Sequence, residues 1–308
     1  MKRLVIQIAY FLIPLLLLIL LFPGEKRLKY EGLKDDCFNH ALWIHDRIFL
    51  NEKAVDIAFF GSSQSLNAIN DIQLEEQLGG ASVVNFAYCR LGRNLSYFLL
   101  RELLSEKSPQ AVIMEVRWDE NRFGHPIFPY LANSSDLLAS NPLHYKGQFE
   151  DIYRNLLYKT SRIQKSLFQE ERPAYINWEH GHSSSPGAAE LSSLEAAKEK
   201  LLKKEIKRWN RSFELAFPKE YLRKCKELCV EKGVELYFLY VPEFGSLEQE
   251  PLEGDFYQSL GERIQLDYAV ISDPSLWHDP KHLNTAGAQL FSQMLADELS
   301  KKLQLSTD

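Results

Sequence analysis

The stretch Val55-Asp-Ile-Ala-Phe-Phe-Gly-Ser-Ser63 decides the fold. An apolar run that stops on small residues is the pattern of a short strand buried on both faces. The same pattern recurs at 82–87, 111–116 and 234–241, and a short final strand is expected at 269–271. Helical periodicity lies between these runs. Residues 94–106 place Leu95, Phe98, Leu99, Leu103 and Leu104 on one side, and 219–232 end at Gly233, a residue suited to closing a helix. Further helices are expected at about 35–51 and 285–303. Strands alternating with helices imply an α/β fold, a three-layer α/β/α sandwich around a mostly parallel sheet. In such a sheet the functional site lies beyond the carboxyl ends of the strands.

The chain begins with a different signal. Residues 4–22 form an uncharged, largely aliphatic run, preceded by Lys2 and Arg3 and followed by Pro23-Gly24 and the basic residues Lys26, Arg27 and Lys29. That length suits one transmembrane helix, and no small-x-small cleavage site follows it, so residues 1–24 read as an uncleaved membrane anchor. Pro14 is compatible with a membrane helix. Basic residues flank both ends, so the placement of the domain outside the cytoplasm rests on the behaviour of N-terminal signal anchors. Residues 35–308 read as the α/β domain, interrupted at about 120–208 by a helical insertion or cap. The insertion contains a Ser/Pro/Gly loop at 183–187, expected to be flexible, and a charged helix at about 188–209.

Composition narrows the function. The 308 residues carry a net charge of −6, which argues against general nucleic-acid binding. Four cysteines are too few for a disulfide scaffold, and no CxxC pair suggests zinc. Cys225 and Cys229 are expected on one helix face as apolar packing residues, with a disulfide as the alternative. His180-Gly-His182 lacks a further ligand nearby, so no metal is expected. His40 and His45 are expected at the surface.

Two short motifs carry chemistry. Gly61-Ser-Ser-Gln-Ser65 follows the first strand directly, where a serine on a tight turn is exposed beside backbone N–H donors. Asp279-Pro-Lys-His-Leu-Asn284 precedes the closing helix. Its Asp-x-x-His spacing lets Asp279 hold one ring nitrogen of His282 while the other faces a nucleophile. The bland alternatives are a plain turn and a helix-capping segment.

Together these motifs resemble the first and last sequence blocks of the SGNH/GDSL hydrolases, over about 55–299 without the insertion. The resemblance implies a flavodoxin-like sheet and a catalytic triad of Ser63, His282 and Asp279, with Ser62 in place of the usual aspartate. Its Gly-Ser-Ser form is similar to the membrane-anchored branch, which includes accessory proteins of D-alanylation and polysaccharide O-acetylation. By the same resemblance, Asn85-Phe-Ala-Tyr-Cys-Arg-Leu-Gly92 is the second block, its glycine displaced by about two positions, and Gly92 would donate a backbone N–H to an oxyanion. The third block, Glu115-Val-Arg-Trp-Asp-Glu-Asn121, lacks an asparagine in register, so Asn94 or Asn121 would have to substitute. Arg90 and Arg117, with Arg93, would lie near the same edge and hold an anionic group or form ion pairs.

The implied function is a membrane-anchored serine esterase acting on O-acyl groups of envelope glycans or lipids, without a cofactor. The implied location is the inner membrane, with the catalytic domain in the periplasm. The alternatives are an acyltransferase accessory working with a membrane acyltransferase partner, and a non-catalytic binding scaffold.

Overall fold

A computed structural model describes residues 2–21, 26–168, 174–204 and 210–303; of residues 15, 16, 18–21 and 166–168 it describes the helical backbone alone. Five strands, β1 (Ile57–Phe60), β2 (Val83–Asn85), β3 (Ala111–Val116), β4 (Glu235–Tyr240) and β5 (Glu262–Ile264), form one sheet in the order β2-β1-β3-β4-β5. Every neighbouring pair is parallel. A two-stranded antiparallel ribbon, β6 (Trp277–Asp279) and β7 (His282–Leu283), lies apart.

The helices are α1 (Lys2–Leu21), α2 (Lys26–Glu31), α3 (His40–Phe49), α4 (Ser63–Ala68), α5 (Asp71–Gln77), α6 (Arg93–Glu106) and α7 (Phe128–Leu131). After them come α8 (Ser134–Leu138), α9 (Gln148–Phe168), α10 (Leu191–Leu202), α11 (Arg211–Glu214), α12 (Ala216–Lys232), α13 (Gly254–Leu260) and α14 (Thr285–Leu303).

Side-chain alternation along the strands divides the interior in two. Ala58, Phe60, Val112, Met114 and Phe238 enter a core shared with Trp43 and Ile44 of α3, Leu99 and Leu103 of α6, and Leu222 and Cys225 of α12. Ile57, Phe59, Ile113 and Leu239 enter a second core with Leu74 of α5, Leu194 of α10, and Phe291, Leu295 and Leu299 of α14. Both faces of the sheet are therefore covered, which is why its strands read as continuous apolar runs. Gly233 ends α12 in the left-handed conformation, at φ 68°.

Several expectations change. The last parallel strand is Glu262–Ile264, and the segment expected to supply it forms a 3-10 turn, Tyr268–Ile271, because the Asp267 side chain accepts from Ala269 N and caps a turn there. His40 and His45 are buried, since α3 is wrapped by other elements on nearly every side. The 183–187 loop is stitched down: Ser183 N donates to Leu66 O, Thr285 N to Ser185 O, and Ala189 N to Trp277 O. The insertion does not stand wholly above the sheet, since Leu194 reaches the second core. The expected charged helix forms as Leu191–Leu202; residues 205–209 lie outside the described residues.

Helix α1 occupies the expected anchor, with Pro14 inside it and Leu4, Val5, Ile6, Phe11, Leu12 and Ile13 exposed. Among the described residues, no helix is long and apolar enough to cross a membrane. The expected transmembrane span is thus not shown, and Pro23-Gly24 lie outside the described residues.

Cys225 and Cys229 are free and buried, as packing residues. The disulfide is elsewhere: Cys37 is joined to Cys89, 52 positions on. It ties the segment before α3 to the chain leaving β2.

Candidate active site

β1 delivers Ser63 to the carboxyl edge of the sheet as the first residue of α4, with Ser62 as the N-cap accepting from Gln64 N at 3.1 Å. The β6–β7 ribbon brings Asp279 and His282 to the same edge. His282 Nε2 and Ser63 Oγ lie 2.8 Å apart, and His282 Nδ1 and Asp279 Oδ2 lie 2.7 Å apart. Two motifs 219 positions apart thus form one hydrogen-bonded chain. Asp279 Oδ1 also accepts from Lys281 N and His282 N. Partial burial would raise the Asp279 carboxyl, but these donors hold it below its ordinary value. The segment after the ribbon is fixed by Asn284, whose side chain donates to Ser275 O and accepts from Gly287 N in the first turn of α14.

The serine turn stands on a buried carboxylate. Glu115 of β3 accepts from Ser62 N and Oγ, from Ser65 N and Oγ, and from Arg117 Nε at 3.0 Å. Arg117 Nη2 donates to Ser62 Oγ at 2.7 Å. Complete burial alone would push the Glu115 carboxyl up, but the Arg117 guanidinium and the four serine donors hold it below the ordinary glutamate value. Of the backbone N–H groups of residues 62–65, three are engaged by Glu115 or Ser62 Oγ. The Ser63 N–H makes no hydrogen bond among the described residues. Asn85 secures the far end of α4, donating to Ser65 O and Ile69 O.

The remaining expected residues are placed as follows. A cleft of about 380 Å³ is lined by Ser63, His282, Gln64, Arg90, Leu91, Arg117, Asn121, Gly124 and Lys281, among others. Gly92 is not among its lining residues. It backs onto His125, where an added Cβ would come within 2.6 Å of the His125 backbone N. Glycine is required there for packing. The left-handed position is Arg90, at φ 71°, with Leu91 following it into the cleft. Asn94 is fully buried; its Oδ1 accepts from Leu95 N and His125 N, and its Nδ2 has no partner among the described residues. Asn121 reaches the cleft, but its amide donates to Leu91 O and Phe123 O. Arg90 pairs with Asp36 at 2.6 Å and Arg117 with Glu115, while Arg93 lies beneath, paired with Glu120.

Residues that the sequence reading passed over are Glu115, Ser65 and Gln64. Glu115 carried a usable signal, since a carboxylate inside an otherwise apolar strand has to find donors. Gln64 is buried, and neither carboxamide atom has a partner among the described residues. His180 lies near Glu75, and His182 near Leu66 O and Ser184 Oγ. Among the described residues, no group of three or more His, Cys, Asp or Glu side chains could hold a metal ion. Compared with known proteins, the chain matches no family model and no curated protein sequence.

Proposed function

We propose that this protein is a membrane-anchored serine esterase of the SGNH/GDSL type, acting on O-acyl groups of envelope glycans or lipids. The observation that carries the reading is the chain Ser63–His282–Asp279, with both contacts at hydrogen-bond length at the mouth of a cleft. Ser63 Oγ attacks the ester carbonyl as His282 Nε2 accepts its proton. Asp279 holds the ring and stabilises the imidazolium. The Ser63 N–H is the donor left for the oxyanion. Collapse of the tetrahedral intermediate breaks the bond to the alcohol, which leaves with the proton from His282. Water then attacks the acyl-serine by the same route and releases the acid. No step calls for a cofactor.

The exposed apolar side chains of α1 fit a lipid surround, and the Cys37–Cys89 disulfide fits an oxidising compartment and so supports a location outside the cytoplasm. In this reading α1 spans the inner membrane and the domain faces the periplasm.

A fluorophosphonate probe tests the central claim. The folded full chain should be labelled at Ser63, labelling should vanish in Ser63→Ala, and it should fall steeply in His282→Ala. Absence of labelling on a folded protein would leave a binding scaffold as the better reading. Acyl transfer to an added oligosaccharide that outruns hydrolysis would identify the acyltransferase alternative, with a membrane acyltransferase partner as acyl source.

A further inference from the structure

We infer that the Gln64 carboxamide holds two neighbouring free hydroxyls of a sugar, so that the ester brought to Ser63 is an O-acyl glycan and not an acyl lipid. This rests on the esterase reading above. Gln64 follows the nucleophile on α4 and is only 1% exposed, yet neither carboxamide atom has a partner among the described residues. It lines the same cleft as Ser63 and His282. The other side chains at the start of α4 are engaged: Ser62 and Ser65 by Glu115, and Ser63 by His282. Successive helix residues are turned by about 100°, so the Gln64 side chain leaves α4 on the side away from Glu115. Asn85 shows what a structural carboxamide does nearby, donating to Ser65 O and Ile69 O and accepting from Ala87 N.

The chemistry of the carboxamide selects its ligand. A buried polar group without a partner destabilises a fold, and a substrate that supplies the missing bonds recovers that loss on binding. The group presents a donor and an acceptor side by side. Two hydroxyls on adjacent ring carbons answer both: one oxygen accepts from Nε2 while the next hydroxyl donates to Oε1. The rest of the cleft agrees. Apart from Leu91, Phe123 and Pro126, the side chains that line it are polar or charged, and a fatty acyl chain would need an apolar wall. Phe123 stands 60% exposed although the Arg122 guanidinium lies over its ring at 4.9 Å. The electron-rich face of such a ring attracts the C–H groups of a sugar.

The test uses the full chain in detergent. The probes are methyl glycosides of glucose, galactose and mannose, each with one O-acetyl group beside free hydroxyls, and the same esters with those hydroxyls removed. Calorimetry on Ser63→Ala, which cannot turn them over, should show at least one hydroxylated ester bound about ten-fold or more tighter than its deoxy counterpart. The preference should vanish when Gln64→Leu is added. In the protein that keeps Ser63, Gln64→Leu should lower kcat/KM for that sugar ester at least about ten-fold more than for p-nitrophenyl acetate. Thermal unfolding separates a structural role. Gln64→Leu should melt no lower than the wild type, because it replaces an unpaired buried amide with an apolar side chain. A clearly lower melting temperature would make Gln64 a structural residue and overturn the site. So would equal binding of the hydroxylated and deoxy esters in all three sugars, or a higher kcat/KM on a fatty acyl ethyl ester than on any sugar ester. Gln64-dependent sugar binding with no hydrolysis of any ester would sink the esterase and keep the site, whereas hydrolysis without the preference would do the reverse.

Discussion

The two walls of the cleft are built on opposite principles. On the serine wall, polar groups converge on reactive atoms: Glu115 consumes the donors around Ser63 and leaves the Ser63 hydroxyl to His282 and its N–H unengaged. On the facing wall, the Asn121 amide is spent on the backbone, donating to Leu91 O and Phe123 O, while Asn94 lies buried outside the cleft lining and braces Leu95 and His125. In the proposed reaction the first wall activates the nucleophile and the second holds a shape, so stabilisation of developing negative charge falls on the Ser63 N–H. The largest test of this contrast is Ser63→Ala. In the proposed reaction it should lower kcat on the order of 10⁶-fold, measured as hydrolysis of an activated acetyl ester. A loss below ten-fold would mean that the serine wall is not reactive.

Next in size is the carboxylate under the turn. Glu115→Ala removes the acceptor of four serine donors and leaves Arg117 without its partner. Breaking such a buried pair costs about 3 kcal/mol. Urea unfolding should register that loss, and Glu115→Gln should recover part of it by keeping the shape and some acceptors. If Glu115→Ala were as stable as the wild type, the turn would be held by something other than this carboxylate.

Much of this architecture is legible in the sequence, and the exceptions have physical causes. Strands β1, β3 and β4 and helix α14 are strong apolar or amphipathic runs, so local pattern alone locates them. Ser63, Asp279 and His282 are legible because each sits in a compact motif at an element boundary. The second and third blocks are not, because their roles depend on loop geometry. No spacing rule says that residue 90 rather than Gly92 adopts the left-handed backbone, or that the Asn121 amide turns toward Leu91 O. The Cys37–Cys89 disulfide is hidden for a related reason: its partners are 52 positions apart and meet only once α3 packs beside β2. The burial of His40 and His45 depends on what surrounds α3, which an amphipathic pattern does not reveal.

A smaller effect comes from two histidines kept neutral in the fold. Burial lowers both His40 and His125 from the ordinary 6.5 to about 4. Below pH 6.5 the unfolded chain takes up protons at these positions while the folded protein does not, so stability falls with pH across the window from about 6.5 to 4. Each contributes a slope of about 1.4 kcal/mol per pH unit. The depressed carboxyls of Glu115 and Asp279 add to the loss only below their ordinary values, near pH 4. Urea midpoints between pH 7 and pH 4.5 should therefore fall in the wild type and fall less in His40→Gln. A flat profile would show that these rings are protonated, or reached by water, inside the fold.

The smallest expected effect is the sharpest on the facing wall. Were Asn121 an oxyanion donor, Asn121→Ala would cost about 100-fold or more in kcat. Its amide instead donates to Leu91 O and Phe123 O, so the substitution removes a brace and leaves the Ser63 N–H in place. The expected result is a loss of less than about ten-fold in kcat/KM, the scale of one or two neutral hydrogen bonds. Asn121→Asp separates the roles further, because a carboxylate can no longer donate to those carbonyls and its charge would oppose an oxyanion. Kinetics on one activated ester with both variants decide the matter. A 100-fold fall in kcat for Asn121→Ala, at unchanged thermal stability, would make the facing wall reactive and erase the contrast between the two sides.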